Sequence, residues 1–218
     1  TVVAAIGASA RMGALVKGGA ALEALGTVRV VALDKTGTLT RNRADVVAVL
    51  PAEHADRDQV LRVAAGLESR SEHPLAAAIL AAAPAVAPAV EVQSVTGSGL
   101  TGVVGGLPAR LGRPGFIAPQ GLEGMVDGLQ DEGCTVVLVE RGGTLLGAIA
   151  VRDELRPEAA GVVASLRRLG IDHVAMLTGD NRRAAAALGR RSGVDEVHAE
   201  LLPEDKARIV DELRVRGH

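Results

Sequence analysis

The chain of 218 residues has no tryptophan, no tyrosine and a single phenylalanine, Phe116. It can hardly hold a flat ligand by aromatic stacking, and its core must be built from aliphatic side chains. Cysteine is nearly absent as well. The lone Cys134 excludes an internal disulfide framework, suits a reducing compartment and reads as a small buried apolar residue. There is no apolar run of the ~20 residues that a membrane-spanning helix needs. The stretch Thr1-Val2-Val3-Ala4-Ala5-Ile6-Gly7-Ala8 is apolar but far shorter, and it lacks the basic start and cleavage pattern of a signal peptide. Positive charge is not in excess either: 24 Lys plus Arg stand against 26 Asp plus Glu, a net −2, with no basic stripe, so no nucleic-acid partner is expected. What remains, 48% hydrophobic and 23% charged, is the composition of an ordinary folded core, enough for one large or two small domains.

Two segments carry chemistry at strand ends. The apolar run 28–33 reads as a buried strand and leads directly into Asp34-Lys35-Thr36-Gly37-Thr38-Leu39-Thr40. Open α/β sheets place their ligands at the carboxyl ends of such strands, and an Asp there becomes a nucleophile toward phosphate when a cation neutralises the incoming charge. Lys35 and a bound Mg²⁺ are the candidate cations, while Thr36 and Gly37 let the backbone turn tightly. The second strand, 172–177, runs into Thr178-Gly179-Asp180-Asn181. Helices at 156–169, 181–192 and 203–214 alternate with strands, the pattern of a doubly wound parallel sheet. Residues 28–40 and 152–218 should therefore pack together.

Residues from about 41 to 149 read as an insertion. Helical spacing appears over 58–68, and a second helix starts near 71–74, where Pro74 suits a first turn, and runs to 83, with another helix near 122–130. Strands are expected at 90–95, 101–104, 135–140 and 144–151, separated by Gly-rich turns, giving a mixed, mainly antiparallel sheet with helices on one side. The Ala/Pro-rich stretch 81–89 reads as a loop. Gly97-Ser98-Gly99-Leu100-Thr101-Gly102 fits G-x-G-x-x-G, but strand and turn follow it rather than a helix, which excludes a dinucleotide fingerprint. His73 offers a flat imidazole face with one donor or acceptor, which an aromatic-poor chain needs for a planar ligand.

DKTGTLT is the phosphorylation signature of the P-type ion-transporting ATPases, and the chain resembles their heavy-metal-transporting branch from end to end. The resemblance implies a haloacid-dehalogenase-like fold. In it Asp34 accepts the γ-phosphate of ATP, and Thr178, with Gly179 and Asp180 of TGDN, meets the transferred phosphoryl. Lys206 of Leu202-Pro203-Glu204-Asp205-Lys206 is the matching phosphate-binding lysine. Ser71-Glu72-His73-Pro74-Leu75 is similar to the SEHPL motif, which puts His73 and the upstream Glu68 against adenine. Gly97 and Gly99 would border the nucleotide, and Asp153 and Arg156 would form a hinge that touches it. Asp34 and Thr36 are the implied Mg²⁺ contacts. Thr36 stands where phosphatases of this fold carry an acid, which implies a long-lived aspartyl phosphate. Arg113 replaces a usual Asn after Gly112.

Further Mg²⁺ carboxylates belong to a GDGxND segment that would follow the Lys206 helix. The chain stops at Arg216-Gly217-His218 before it, so this excerpt is expected to bind nucleotide but to phosphorylate itself poorly. The implied division is 1–26 as membrane-helix end and stalk, 27–40 and 151–218 as phosphorylation domain, and 41–150 as nucleotide-binding domain. The implied partners are ATP, a heavy-metal cation held in membrane helices outside this chain, and the actuator and membrane domains of one multi-pass membrane protein, with this part facing the cytoplasm. A soluble phosphatase of the same fold and a non-catalytic nucleotide-binding module are the alternatives.

Overall fold

The structure, a computed structural model, describes residues 2–71 and 73–217. Two short helices, α1 (Val2–Arg11) and α2 (Gly19–Leu25), precede β1 (Val30–Asp34). A tight turn over Lys35–Leu39 leads to β2 (Thr40–Pro51), α3 (Arg57–Glu68) and α4 (Pro74–Ala82). Then come β3 (Val90–Val95), β4 (Gly99–Val104), β5 (Leu107–Gly112), α5 (Glu123–Asp131), β6 (Thr135–Arg141) and β7 (Thr144–Leu155). The chain closes with α6 (Ala159–Arg168), β8 (His173–Leu177), α7 (Arg182–Ser192), β9 (Glu196–His198) and α8 (Pro203–Gly217).

Three strands form a parallel sheet in the order β1-β8-β9, with Val30 opposite His173 and Asp34 opposite Leu177. The ends of the chain thus close on one another, as the sequence pattern requires. Alternation along β8 splits its side chains between two cores. Met176 packs with Ala159 of α6 and with Ala185 and Leu188 of α7. Ala175 and Leu177 turn the other way, onto Ile209 and Leu213 of α8. Helices on both faces make this body doubly wound.

The second sheet has six strands, ordered β2-β7-β6-β5-β4-β3, with every neighbouring pair antiparallel rather than mixed. Helices cover both of its faces, which corrects the expectation of helices on one side. Val137 and Val139 point to the core under α3 and α4, whereas Val136 and Leu138 point to a second core under α5. The apolar runs of β6 and β7 are the reason, because a strand buried on both faces has no polar alternate positions. Burying Ile149 and Leu138 fully on opposite faces contributes roughly 1.5–3 kcal/mol each.

Two strands were not expected, β2 and β5. β2 pairs with β7 from Thr40↔Leu155 to Pro51↔Gly147, so the chain enters and leaves the antiparallel body on one two-stranded ribbon. The expected boundaries near 41 and 150 fall inside this ribbon.

Local signals set the helix starts. The Asp56 side chain accepts from the Gln59 amide at 2.7 Å, and Asn181 accepts from the Ala184 amide at 2.9 Å, each satisfying a donor that the helix leaves open. α1 and α2 bury no residue. Among the described residues no helix is long and apolar enough to cross a membrane.

Candidate active site

The ends of β1 and β8, the ribbon, and the edge of the antiparallel sheet face a common cleft of 1180 Å³. It is lined by Lys35, Thr36, Thr178, Gly179, Asp180 and Lys206 on one wall, and by Glu68, His73, Gly97, Gly99 and Arg113 on the other, with Asp153 between. Sequence-distant candidates are thus brought together. Glu72 of the SEHPL motif lies outside the described residues.

On the first wall the charges are paired. Lys206 Nζ donates to the Asp34 carboxylate, joining β1 to α8. Lys35 is nearly buried, and its ammonium sits 2.8 Å from Asp180 and 4.0 Å from Asp153. Lys35 therefore ties the turn, the ribbon and the TGDN loop together instead of standing free for an incoming phosphate. Thr178 is buried; its hydroxyl accepts from the Asp180 amide at 3.1 Å, and its own amide is fixed to the His198 carbonyl at 2.9 Å. Gly37, at φ +77, makes the turn after Asp34. Only a residue without a Cβ enters that conformation freely.

Thr40, fully buried, makes contacts at the site that were not expected from the sequence. Its hydroxyl donates to Asp153 Oδ2 and accepts from the Gly37 amide at 3.3 Å. Arg156 does not line the cleft. Its guanidinium donates to the Thr40 carbonyl at 3.1 Å and the Gly37 carbonyl at 3.3 Å, so it braces the turn after Asp34 from behind.

The opposite wall is different in kind. Glu68, the last residue of α3, is 5% exposed, and its Oε2 has no hydrogen-bond partner. Burial raises its pKa, opposed by a hydrogen bond with Ser71. His73 caps α4: its Nδ1 accepts from the Leu75 amide at 3.2 Å, which leaves a neutral ring with its proton on Nε2. Loss of water around the ring pushes its pKa below the ordinary histidine value; Asp180 pulls it up and Lys35 pushes it down. Gly99 is required by the sheet itself, since a Cβ there would come within 2.1 Å of the Leu111 carbonyl oxygen. Gly97, at φ +67, faces Leu202 of the other body.

These groups fit a polyanion with a planar head: a large cleft, cations at one end, and an unpaired acceptor and an imidazole on the opposite wall. They do not fit a resident metal ion. Asp34 is engaged by Lys206, and among the described residues no group of three or more His, Cys, Asp or Glu stands in position to hold one.

Residues 28–218 match the family described as haloacid dehalogenase-like hydrolase. The chain belongs to that family. Its sequence is 60% identical over 216 residues to a probable cation-transporting ATPase G of Mycobacterium tuberculosis, covering 99% of this chain and 28% of that protein. It is 43% identical to a zinc/cadmium/lead-transporting P-type ATPase of Escherichia coli, covering 97% of this chain and 29% of that one. Among solved structures it is similar to a zinc-transporting PIB-type ATPase in the E2.Pi state, 41% identical with a TM-score of 0.68, covering 99% of this chain and 36% of that chain. The chain thus matches heavy-metal P-type ATPases along nearly its whole length, and it spans less than a third of the two named relatives. Asp34 lies at the carboxyl end of β1, beside β8.

Proposed function

We propose that this chain is the cytoplasmic ATP-binding and phosphorylation part of a heavy-metal P-type ATPase, embedded through other segments in the cell membrane, where it drives cation export. The observation that carries this reading is Asp34 held at the end of β1 by Lys206, which lines one cleft with Thr178, Glu68 and His73. The division into 1–26, 27–40 with 151–218, and 41–150 belongs to the same proposal. P-type ATPase domains in general use ATP and Mg²⁺. The ion would arrive with the nucleotide and neutralise phosphate charge near Asp34 and Thr36.

The residues themselves account for the rest. Unpaired Glu68 Oε2 accepts and His73 Nε2–H donates, which is complementary to the amino group and ring nitrogens of adenine. The triphosphate then lies toward Lys206, Thr178 and the Gly179 amide. An Asp34 carboxylate oxygen attacks the γ-phosphorus, the bond to the β–γ bridging oxygen breaks, and ADP leaves with that oxygen. Lys206 shifts from the carboxylate to the transferred phosphoryl. With Thr36 in place of an acid, the side chain two residues on has no carboxyl proton with which to assist hydrolysis, so the acyl phosphate persists. In the full-length protein, Asp34→Asn should abolish acid-stable ³²P labelling from ATP. Retained label would overturn the assignment.

A further inference from the structure

α5 belongs to the antiparallel body and α7 to the parallel one, yet the two helices touch. Gly133, just past α5 at φ +89, faces α7 so closely that a Cβ there would meet the Ala187 Cβ at 3.5 Å. Beside this contact Arg183 of α7 reaches α5 with both ends of its guanidinium. Nη1 lies 3.1 and 3.0 Å from the two Asp131 oxygens, and Nη2 lies 3.1 Å from Asp127 Oδ2.

The acidic pair makes little sense within α5 alone. Asp127 and Asp131 are four residues apart, so they share a helix face and repel. Asp131 is also the last residue of the helix, where the helix dipole disfavours a carboxylate. Among the described residues neither has another ionic partner. Both costs are offset only when α7 approaches. We propose that Arg183, forked between Asp127 and Asp131, is an ionic latch between the two bodies and a positioning residue for whatever the cleft holds.

Its place in the fold links it to the site. α7 starts at the Asn181 cap, directly after Thr178-Gly179-Asp180, so the loop that faces the phosphate end and the latch sit on one rigid element. Arg183 and Gln130 of α5 both line the cleft. The three side chains are 48–58% exposed, so each contact is weak and screened by salt. The latch therefore opens readily, and its loss shifts the ratio of closed to open forms by about fivefold.

The test uses the 218-residue chain with Cys134→Ala and spin labels at Leu107→Cys on β5 and Val162→Cys on α6, both exposed positions. Without ligand, Arg183→Ala should lengthen and broaden the inter-label distance distribution, as should about 1 M NaCl, where the Debye length falls to about 3 Å. The exchange Arg183→Asp with Asp131→Arg should restore the short distance, which a merely structural role would not do. Identical distributions for the parent and Arg183→Ala, with both folded by circular dichroism, would overturn the latch. The ligand role rests on the nucleotide reading, and a second arm separates the two. ATP should dissociate about fivefold faster from Arg183→Ala and at the parent rate from the exchanged pair. If distances respond but the parent binds no ATP, the nucleotide reading fails and the latch stands.

Discussion

The two walls of the cleft treat charge in opposite ways. On the parallel-sheet wall, Asp34 has Lys206 and the nearly buried Lys35 has Asp180. On the antiparallel wall Glu68 is buried with one oxygen unpartnered, and His73 is held away from protonation. A paired wall is stable before a ligand arrives and must exchange partners if an anionic group is to enter. An unpaired wall carries a standing cost, which a ligand with hydrogen-bond donors removes. The difference assigns stability to one wall and recognition to the other.

The strongest challenge to that contrast is Lys35→Met. If Lys35 is a tie, the substitution leaves Asp180 and Asp153 without their cation in a nearly dry place and should cost about 3 kcal/mol, read by urea unfolding. Unchanged stability with slower phosphorylation in the full-length protein would return Lys35 to the phosphate-facing role suggested by its place beside Asp34.

Glu68→Gln probes the other wall and should move stability and binding in opposite directions. The folded-state pKa of Glu68 is raised, so its ionisation opposes folding as pH rises toward that value. The variant should gain about 2–4 °C in Tm at pH 8, with the gain vanishing near pH 4. Its ATP affinity should fall about tenfold by calorimetry. A parallel loss of both would remove the distinction between the walls.

The smallest effect belongs to His73. Its folded-state pKa is lowered, so the unfolded chain takes up the proton first, and stability falls as pH drops below the ordinary value of about 6.5. Protonated Nδ1 cannot accept from Leu75, so about 1 kcal/mol of cap should be lost. His73→Asn keeps an acceptor that does not titrate and should flatten that pH profile; an unchanged profile would assign the titration elsewhere.

Much of this was legible in the sequence, for physical reasons. Helices α3 and α7 announce themselves through apolar spacing and through Asp56 and Asn181 as caps, all local signals. The strand ending at Asp34 is β-branched and short, and the motif after it has little local freedom. β2 escaped because it opens with Arg41-Asn42-Arg43 and owes its form to β7, its partner far along the chain. β5 was hidden by Pro108 and Arg110. The two-sided burial of β6 was legible in its unbroken apolar run, which the expectation of helices on one side left unused. Among the site residues, Asp34, Thr178, Lys206, Glu68 and His73 do meet in or beside one cleft. Non-local pairings such as Lys35 with Asp180, Arg156 with the turn carbonyls, and Arg183 with α5 depend on three-dimensional neighbours that no spacing encodes.

The pairing of β1 with β8 also sets an order of events during synthesis. β1 is made early and its neighbour late, with the whole antiparallel body between them. That body contains both partners of each of its ladders and can condense while Asp34 is still on an unpaired strand. The surroundings of Asp34 are therefore assembled last, and only after the β2–β7 ribbon has brought the late strand back does its carboxylate acquire a fixed address.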